Sequence, residues 1–293
     1  MFSLQLLIAA IASGAIYALV ATGLNLIYGT MRLLNIAHGD IVMIGAYATY
    51  WLLALFHLSP IISIFVVTPA MAMIGWSLYD LLFQRVLQEK RSSDRIESNS
   101  LLVFFGISIL LENVTAYLFG GTARAYQYAD VVVSWGTITL LANRLIALIG
   151  SVTACLAILL FFRFTRVGLA VRAIIQNRDA ARIVGVNLDH IYRLSFALGF
   201  GLAGLAGALI SIYSQIWPFM GFSYTIVAFV IVISGGLGNI LGGLLSAILF
   251  GLVETFGVAW AGASYQSLLV YGIFVGILLL RPQGLLGARG TAK

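Results

Sequence analysis

Charge is what this sequence has least of. Only 9% of its 293 residues are Asp, Glu, Lys or Arg, against roughly a quarter in ordinary soluble domains. The hydrophobic share is 61% and the mean hydropathy is +1.06. A water-soluble fold is excluded. Cysteine is nearly absent: Cys155 stands alone, so no intrachain disulfide can form, and no Cys/His spacing suggests a metal. Lysine is scarce too, with Lys90 following Glu89 and Lys293 closing the sequence. A Walker A loop needs a lysine after glycine to reach nucleotide phosphates, so this chain does not hold ATP in that way. No Gly-x-Ser-x-Gly or His-Glu-x-x-His occurs, and the three histidines are isolated, which removes the motif-bearing intramembrane hydrolases. The net charge of +6 calls for no nucleic acid.

What is present is a series of long apolar runs. A bilayer core about 30 Å thick needs roughly 20 apolar residues per helix. Runs of that kind occupy approximately 5–28, 36–56, 60–82, 100–119, 142–162, 190–214, 222–236, 240–258 and 264–280. The ten-residue alternation of a transmembrane β-barrel is missing. The expected fold is therefore all-α: a polytopic transmembrane bundle of about nine spans, within a range of eight to ten. The range comes from Ser234–Gly243, "SGGLGNILGG", which reads as a break, a re-entrant turn or a packing seam. The opening MFSLQLL lacks the basic start of a cleavable signal, so the first run is expected to stay as a helix. All of 1–293 reads as one transmembrane domain.

The basic residues set an orientation. Placing "QRVLQEKRSSDR" (Gln84 to Arg95) and the stretch around residues 165–187 in the cytoplasm also puts Arg32, Arg281, Arg289 and Lys293 there. Of the sixteen Lys and Arg, only Arg124 and Arg144 then fall outside. Nine spans with the N terminus periplasmic and the C terminus cytoplasmic satisfy this pattern.

One stretch departs from its surroundings. "TRVGLAVRAIIQNRDAARIVGVN" (Thr165 to Asn187) carries four arginines, Arg166, Arg172, Arg178 and Arg182, between two apolar runs. Residues 168–175 read as a short helix with Leu169, Ala173 and Ile174 free to pack. Asn177 is an N-cap for a second helix, Asp179 lies in its first turn where the dipole favours an acid, and Arg178 and Arg182 share one face. Gly185 suits a C′ position that needs positive φ. Asn187 and Asp189 repeat the start signal for the next span. A solvated linker needs no such caps; a docking element does. The alternative is a loop whose arginines meet anionic membrane lipid.

Here the sequence resembles the permease subunits of branched-chain amino acid ABC importers, the LivH-like members of the LivH/LivM family. Three segments carry the resemblance: "GLNLIYGTMRLLNIAHGDIVMIGAY" (Gly23 to Tyr47), "GLAVRAIIQNRDAARIVGVN" (Gly168 to Asn187) and "SGGLGNILG" (Ser234 to Gly242). The second is similar to the family's cytoplasmic coupling loop, which would cover 163–189 here. The resemblance implies a subunit of the bacterial inner membrane that translocates branched-chain amino acids or a related small polar solute. Relatives serve urea, amides, aromatic acids and other amino acids. It also implies a second, LivM-like permease, two cytoplasmic ATPases that bind ATP and Mg, and a periplasmic substrate-binding protein. The chain itself would bind no cofactor and catalyse no reaction. A stand-alone channel or secondary carrier would fit the hydropathy equally, but would leave the capped loop without a task.

Other candidates have two readings each. Asn35, His38 and Asp40 enter an apolar run within six residues; they line the pathway, or they are helix-start residues and a hydrogen-bonded histidine. Glu112 and Glu254 face the pathway or a partner, or pair locally. Gly235, Gly236, Gly238, Gly242 and Gly243, with Asn239 among them, expose backbone to a solute or form a seam. Gly199, Ala203, Gly207 and Ser211, at four-residue spacing, read as packing. Thr122–Gly136 either contacts a binding protein or is an interfacial element anchored by Tyr126, Tyr128 and Trp135.

Overall fold

A computed structural model describes residues 4–84, 93–135 and 138–286. Eleven α-helices are present among them: α1 (Leu4–Met31), α2 (His38–Phe56), α3 (Pro60–Leu78), α4 (Ser93–Phe119), α5 (Ala142–Phe164), α6 (Arg166–Gln176), α7 (Arg178–Ile183), α8 (Leu188–Tyr213), α9 (Met220–Gly235), α10 (Ile240–Ala261) and α11 (Gln266–Leu280). A π-turn, Tyr79–Phe83, extends α3. Eight helical segments are long and apolar enough to cross a membrane, and α9 is a shorter apolar helix. Each of the nine expected runs is thus a helix. The reading of the chain as all-α missed one element. Val132–Trp135 and Ile138–Leu141 form an antiparallel β-hairpin, Val132 opposite Leu141. Much of Gln84 to Arg95, with Gly136, Arg289 and Lys293, lies outside the described residues.

The bundle has two ends. The hairpin marks one: Gln5, at the start of α1, donates to the Thr139 carbonyl. The arginine-bearing segment α6–α7 marks the other, where Ile175 packs on Gly29 near the end of α1. Around α8, the most enclosed helix, the interior is close-packed. The outer faces of α3, α4, α5 and α11 expose Phe65, Met73, Leu102, Leu156, Leu279 and other large apolar side chains. An apolar exterior around a packed interior is the arrangement that lipid as solvent requires.

Two helices start inside the bundle rather than at its ends. Arg32, just after α1, lies 3.9 Å from Glu97 at the arginine end. Yet His38, six residues on, has its Nε2 3.0 Å from the carbonyl of Val20. Val20 is eleven residues before Met31, or about 16 Å along a helix. Residues 32–37 therefore climb back into the bundle before α2 begins. The same happens from the opposite end. Ile216, just after α8, pairs with Arg124 beside the hairpin, and residues 214–219 descend so that α9 starts against Gly39. At 16 residues, α9 is about 24 Å long, too short to cross.

These two breaks are equivalent. Each is six residues long, each follows a long central helix, and His38 and Met220 stand 182 positions apart, as do Gly39 and Gly221. The packing repeats the relation: α1 packs antiparallel on α10 as α8 packs antiparallel on α3. The bundle is an inverted repeat, α1–α4 against α8–α11, and Gly39 meets Gly221 at its centre.

Candidate functional site

The centre of the repeat is polar and buried. Thr225 sews the two breaks together: its hydroxyl donates to the Ile36 carbonyl (2.8 Å) and accepts from the Gly39 N–H (2.8 Å). The partner of His38 Nε2 is a carbonyl, so that nitrogen carries the proton and Nδ1 is left as an acceptor. His38 Nδ1 and both amide atoms of Asn35 are buried with no hydrogen-bond partner among the described residues; the Asp40 carboxyl is buried too, with Ser108 as a hydrogen-bonding neighbour. Such groups are costly unless something else meets them. Asp40 stands in the first turn of α2 and against Gly221 in the first turn of α9. Two helix N-termini thus point their positive ends at one carboxyl group.

The polar side chains that approach Asp40 come from α4, namely Ser108 and Glu112. They belong to a stripe of Ser100, Ser108, Glu112 and Thr115 along the inner face of α4, of which the Ser and Thr members are buried. Two clefts open on this seam. One, of about 510 Å³, lies toward the hairpin end between α2 and α4, with Tyr47, Trp51, Thr115 and Phe119 on its walls. The other, of about 270 Å³, lies toward the arginine end, with Ile36, Leu101, Thr225 and Phe229. Along α4 the order is Leu101, Ser108, Glu112, Thr115, so the two carboxyl groups stand between the clefts. Of the residues singled out in the sequence, Asn35, His38, Asp40 and Glu112 come together here. Ser108, Thr115 and Thr225 were missed. The spacing of Ser100, Ser108 and Glu112, which puts them on one face of α4, was the available signal for the stripe; nothing local marks Thr225.

A family model described as the branched-chain amino acid transport system / permease component matches residues 6–278, the whole bundle with its central junction included. The chain belongs to this family. It is 28% identical to the high-affinity branched-chain amino acid transport system permease protein LivH of Escherichia coli (strain K12), over 100% of this chain and 98% of that one. It is 29% identical to BraD of Pseudomonas aeruginosa, a permease protein of the same description, over 99% and 97%. A probable LivH from Methanocaldococcus jannaschii is 27% identical over 92% and 88%. The chain is a permease component of a transport system with further components, and not an enzyme.

The permease's arginine-bearing segment has the local structure its caps require. Thr165 caps α6 by accepting from Gly168 N–H, Asn177 caps α7 by accepting from Ala180 N–H (3.0 Å), and Asn187 caps α8 by accepting from His190 N–H. Asp179 lies in the first turn of α7 and Gly185 takes φ +88°. The residues of this segment divide between an inward and an outward face. Ile174 is buried with Val171 against the bundle, because α6 turns its apolar stripe inward; it cannot be an anchor for a partner. Arg172 donates to the Phe162 carbonyl at the end of α5 (2.6 Å) and stays exposed, while the half-buried Arg178 lies over the Tyr192 ring. Arg166 and Arg182 remain exposed. So do Leu169 at 61%, Ile183 at 85% and Val184 at 75%. Nearby, Arg193 joins Asp80 and Asp189 (each 2.9 Å), and the Tyr79 hydroxyl donates to Asp189. This knot ties the π-turn to the start of α8.

The other candidates lie elsewhere. Glu254, on α10 near the hairpin end, accepts from Gln266 and has Tyr17, Tyr213 and Tyr224 about it; it does not meet Asp40. Gly235, Gly236, Gly238 and Asn239 form the turn between α9 and α10, at the far end of α9 from the junction. There Gly235 and Gly242 touch backbone to backbone, and Asn239 caps α10. This is a packed turn rather than an exposed lining, because Asn25 and the chain's own residues 284–286 fill it. The stripe Gly199, Ala203, Gly207 and Ser211 packs as expected, Gly207 against Val42. Tyr126 is not a surface anchor: its hydroxyl pairs with Ser211 at 2.9 Å, and burial pushes it up to about 12, so it stays a neutral hydroxyl. Tyr128 is half-buried against the core, and the Trp135 side chain lies outside the described residues.

Proposed function

We propose that this permease forms, together with a second permease subunit, the path by which branched-chain amino acids or related small amino-bearing solutes cross the bacterial inner membrane. Two cytoplasmic ATPases carrying ATP and Mg drive it, and a periplasmic binding protein delivers the solute. The observation that carries the reading is the buried Asp40 between the two clefts, with Glu112 and Ser108 facing it across the α2–α4 seam. Carboxylates there suit the ammonium group of a passing solute, and the apolar cleft walls suit its side chain. The printed names of the relatives support the same substrate class.

The arginine end faces the cytoplasm in this reading, with the hairpin in the periplasm. Single cysteines replacing Gln176 and Ser134, both exposed and at opposite ends, in a Cys155→Ala background, are expected to react with an impermeant maleimide from opposite sides. Labelling of both from one side would overturn the orientation.

ATPase docking falls to α6 and α7, whose Leu169, Ile183 and Val184 are apolar, exposed and placed beside the free arginines Arg166 and Arg182. A charge at Ile183 disturbs nothing inside the bundle, since the side chain is 85% exposed. Burying an aliphatic side chain at an interface contributes about 1.5–3 kcal/mol, so Ile183→Glu is expected to weaken ATPase co-purification about tenfold or more while the permease keeps its thermal midpoint. Vesicles holding all the components should take up leucine only with ATP inside. Uptake by the permease alone, or full assembly of Ile183→Glu, would favour the carrier alternative.

A further inference from the structure

We infer that Ile175 is the positioning residue through which the arginine-bearing segment moves the half-helix α9; this rests on the docking reading above. Ile175 is the next residue after the buried Ile174 and points at the turn that ends α9. Its Cδ1 lies 3.3 Å from where a Cβ on Gly29 would stand, and its Cγ2 lies 3.2 Å from where one on Gly238 would stand. Gly29 and Gly238 themselves touch, the Gly238 Cα being 3.0 Å from that Gly29 position. One side chain from α6 is thus wedged into the contact between α1 and the α9–α10 turn, and only two glycines leave room for it.

The turn that Ile175 meets is tied on its other sides. Gly238 N–H donates to the Asn25 side chain (2.7 Å), which donates in turn to the Asn239 carbonyl (2.9 Å). The segment after α11 straps it from below: Leu285 N–H donates to Ser234 O (2.7 Å), Leu286 N–H to Gly235 O (3.3 Å), and the Asn239 side chain to Leu286 O (2.7 Å). Ser234 and Gly235 are the last residues of α9. The helix between this strapped end and the central junction is sixteen residues with no proline, so it moves as a rod. Its other end rests on Gly39 and Asp40 without clearance. A partner that shifts α6 and α7 therefore shifts Ile175, the strapped turn and the rod, and so changes the spacing at Asp40.

The test uses the assembled transporter in vesicles, reading assembly, ATP hydrolysis and leucine uptake separately. Ile175→Ala removes the wedge; Ile175→Val keeps Cγ2 against Gly238 and Cγ1 against Gly29, and trims only Cδ1. Ile175→Ala is expected to assemble and hydrolyse ATP as the wild type does, while uptake per ATP falls about tenfold, within the range by which residues along a coupling route change it. Ile175→Val should restore most of the coupling. If uptake per ATP is unchanged in Ile175→Ala, or if uptake and hydrolysis fall together in step with a lower thermal midpoint, Ile175 is ordinary packing and the inference is wrong. Transport by the wild-type permease without any ATPase bound would instead remove the docking reading, and this inference with it.

Discussion

Gly39→Ala is expected to abolish uptake by unseating the centre of the bundle. A methyl at Gly39 overlaps the Gly221 carbonyl oxygen and presses on Thr225 Oγ1 and N, at 2.6 and 2.7 Å. Those atoms are backbone, or a hydroxyl already held by Ile36 and Gly39, so no flexible side-chain end can give way. Overpacking costs about 1–3 kcal/mol where a side chain can adjust. Here two helix starts must separate, and a loss of about 3 kcal/mol or more is expected, at or beyond the top of that range. Gly106→Ala on α4 is the control. Nothing lies within 4 Å of its added methyl, and alanine is the better helix former by about 1 kcal/mol. Gly106→Ala should therefore keep or slightly raise the thermal midpoint in detergent. Equal midpoints for Gly39→Ala and the wild type would show that the two breaks do not meet as described.

The second large effect is expected at Asp40. Asp40→Asn keeps the volume and removes the charge. If the carboxylate meets a solute's ammonium group, the substitution forfeits a charged hydrogen bond of about 1.5–3 kcal/mol, or roughly a ten- to hundredfold fall in uptake at unchanged assembly. Glu112→Gln should act in the same direction and more weakly, since Glu112 is only half-buried. The competing role for Asp40 is counter-charge to the two helix N-termini that point at it. In that role Asp40→Asn would lower the thermal midpoint and leave uptake per folded complex as it was. Uptake and melting measured on one preparation separate the two.

Much of the periphery of this permease is written locally in its sequence. Asn177, Asn187 and Gly185 could be assigned because capping is decided by a side chain and a backbone group three residues away. The spans follow from hydropathy for the same reason: lipid acts on each helix separately. The centre is different. Residues 32–37 and 214–219 fall almost wholly in the gaps that hydropathy leaves between spans, and nothing local tells whether such a gap stays at the surface. Only the tertiary contacts of His38 with Val20 and of Gly39 with Gly221 reveal that both segments turn inward. Leu169 and Ile174 could not be told apart for a related reason. An amphipathic helix shows which residues share a face, but not which face the neighbouring helices occupy, and here α5 and α8 occupy the apolar one.

The position of α5 has a consequence for biogenesis. A long helix, its inward break and its half-helix occur twice, facing opposite ways. α1 and α8 run in opposite directions because four passes, α2 to α5, separate them. Take α5 away and α8 would enter the membrane in the direction of α1, carrying its break to the wrong side, so that Gly221 could no longer reach Gly39. A single helix at the edge of the bundle, which carries no part of the polar seam, is thus what lets the ribosome deliver one half of the chain upside down relative to the other. Its requirement is parity rather than sequence: an unrelated apolar helix of equal length, with the connecting loops kept, should serve the insertion machinery as well, whereas a hairpin of two would invert the second half.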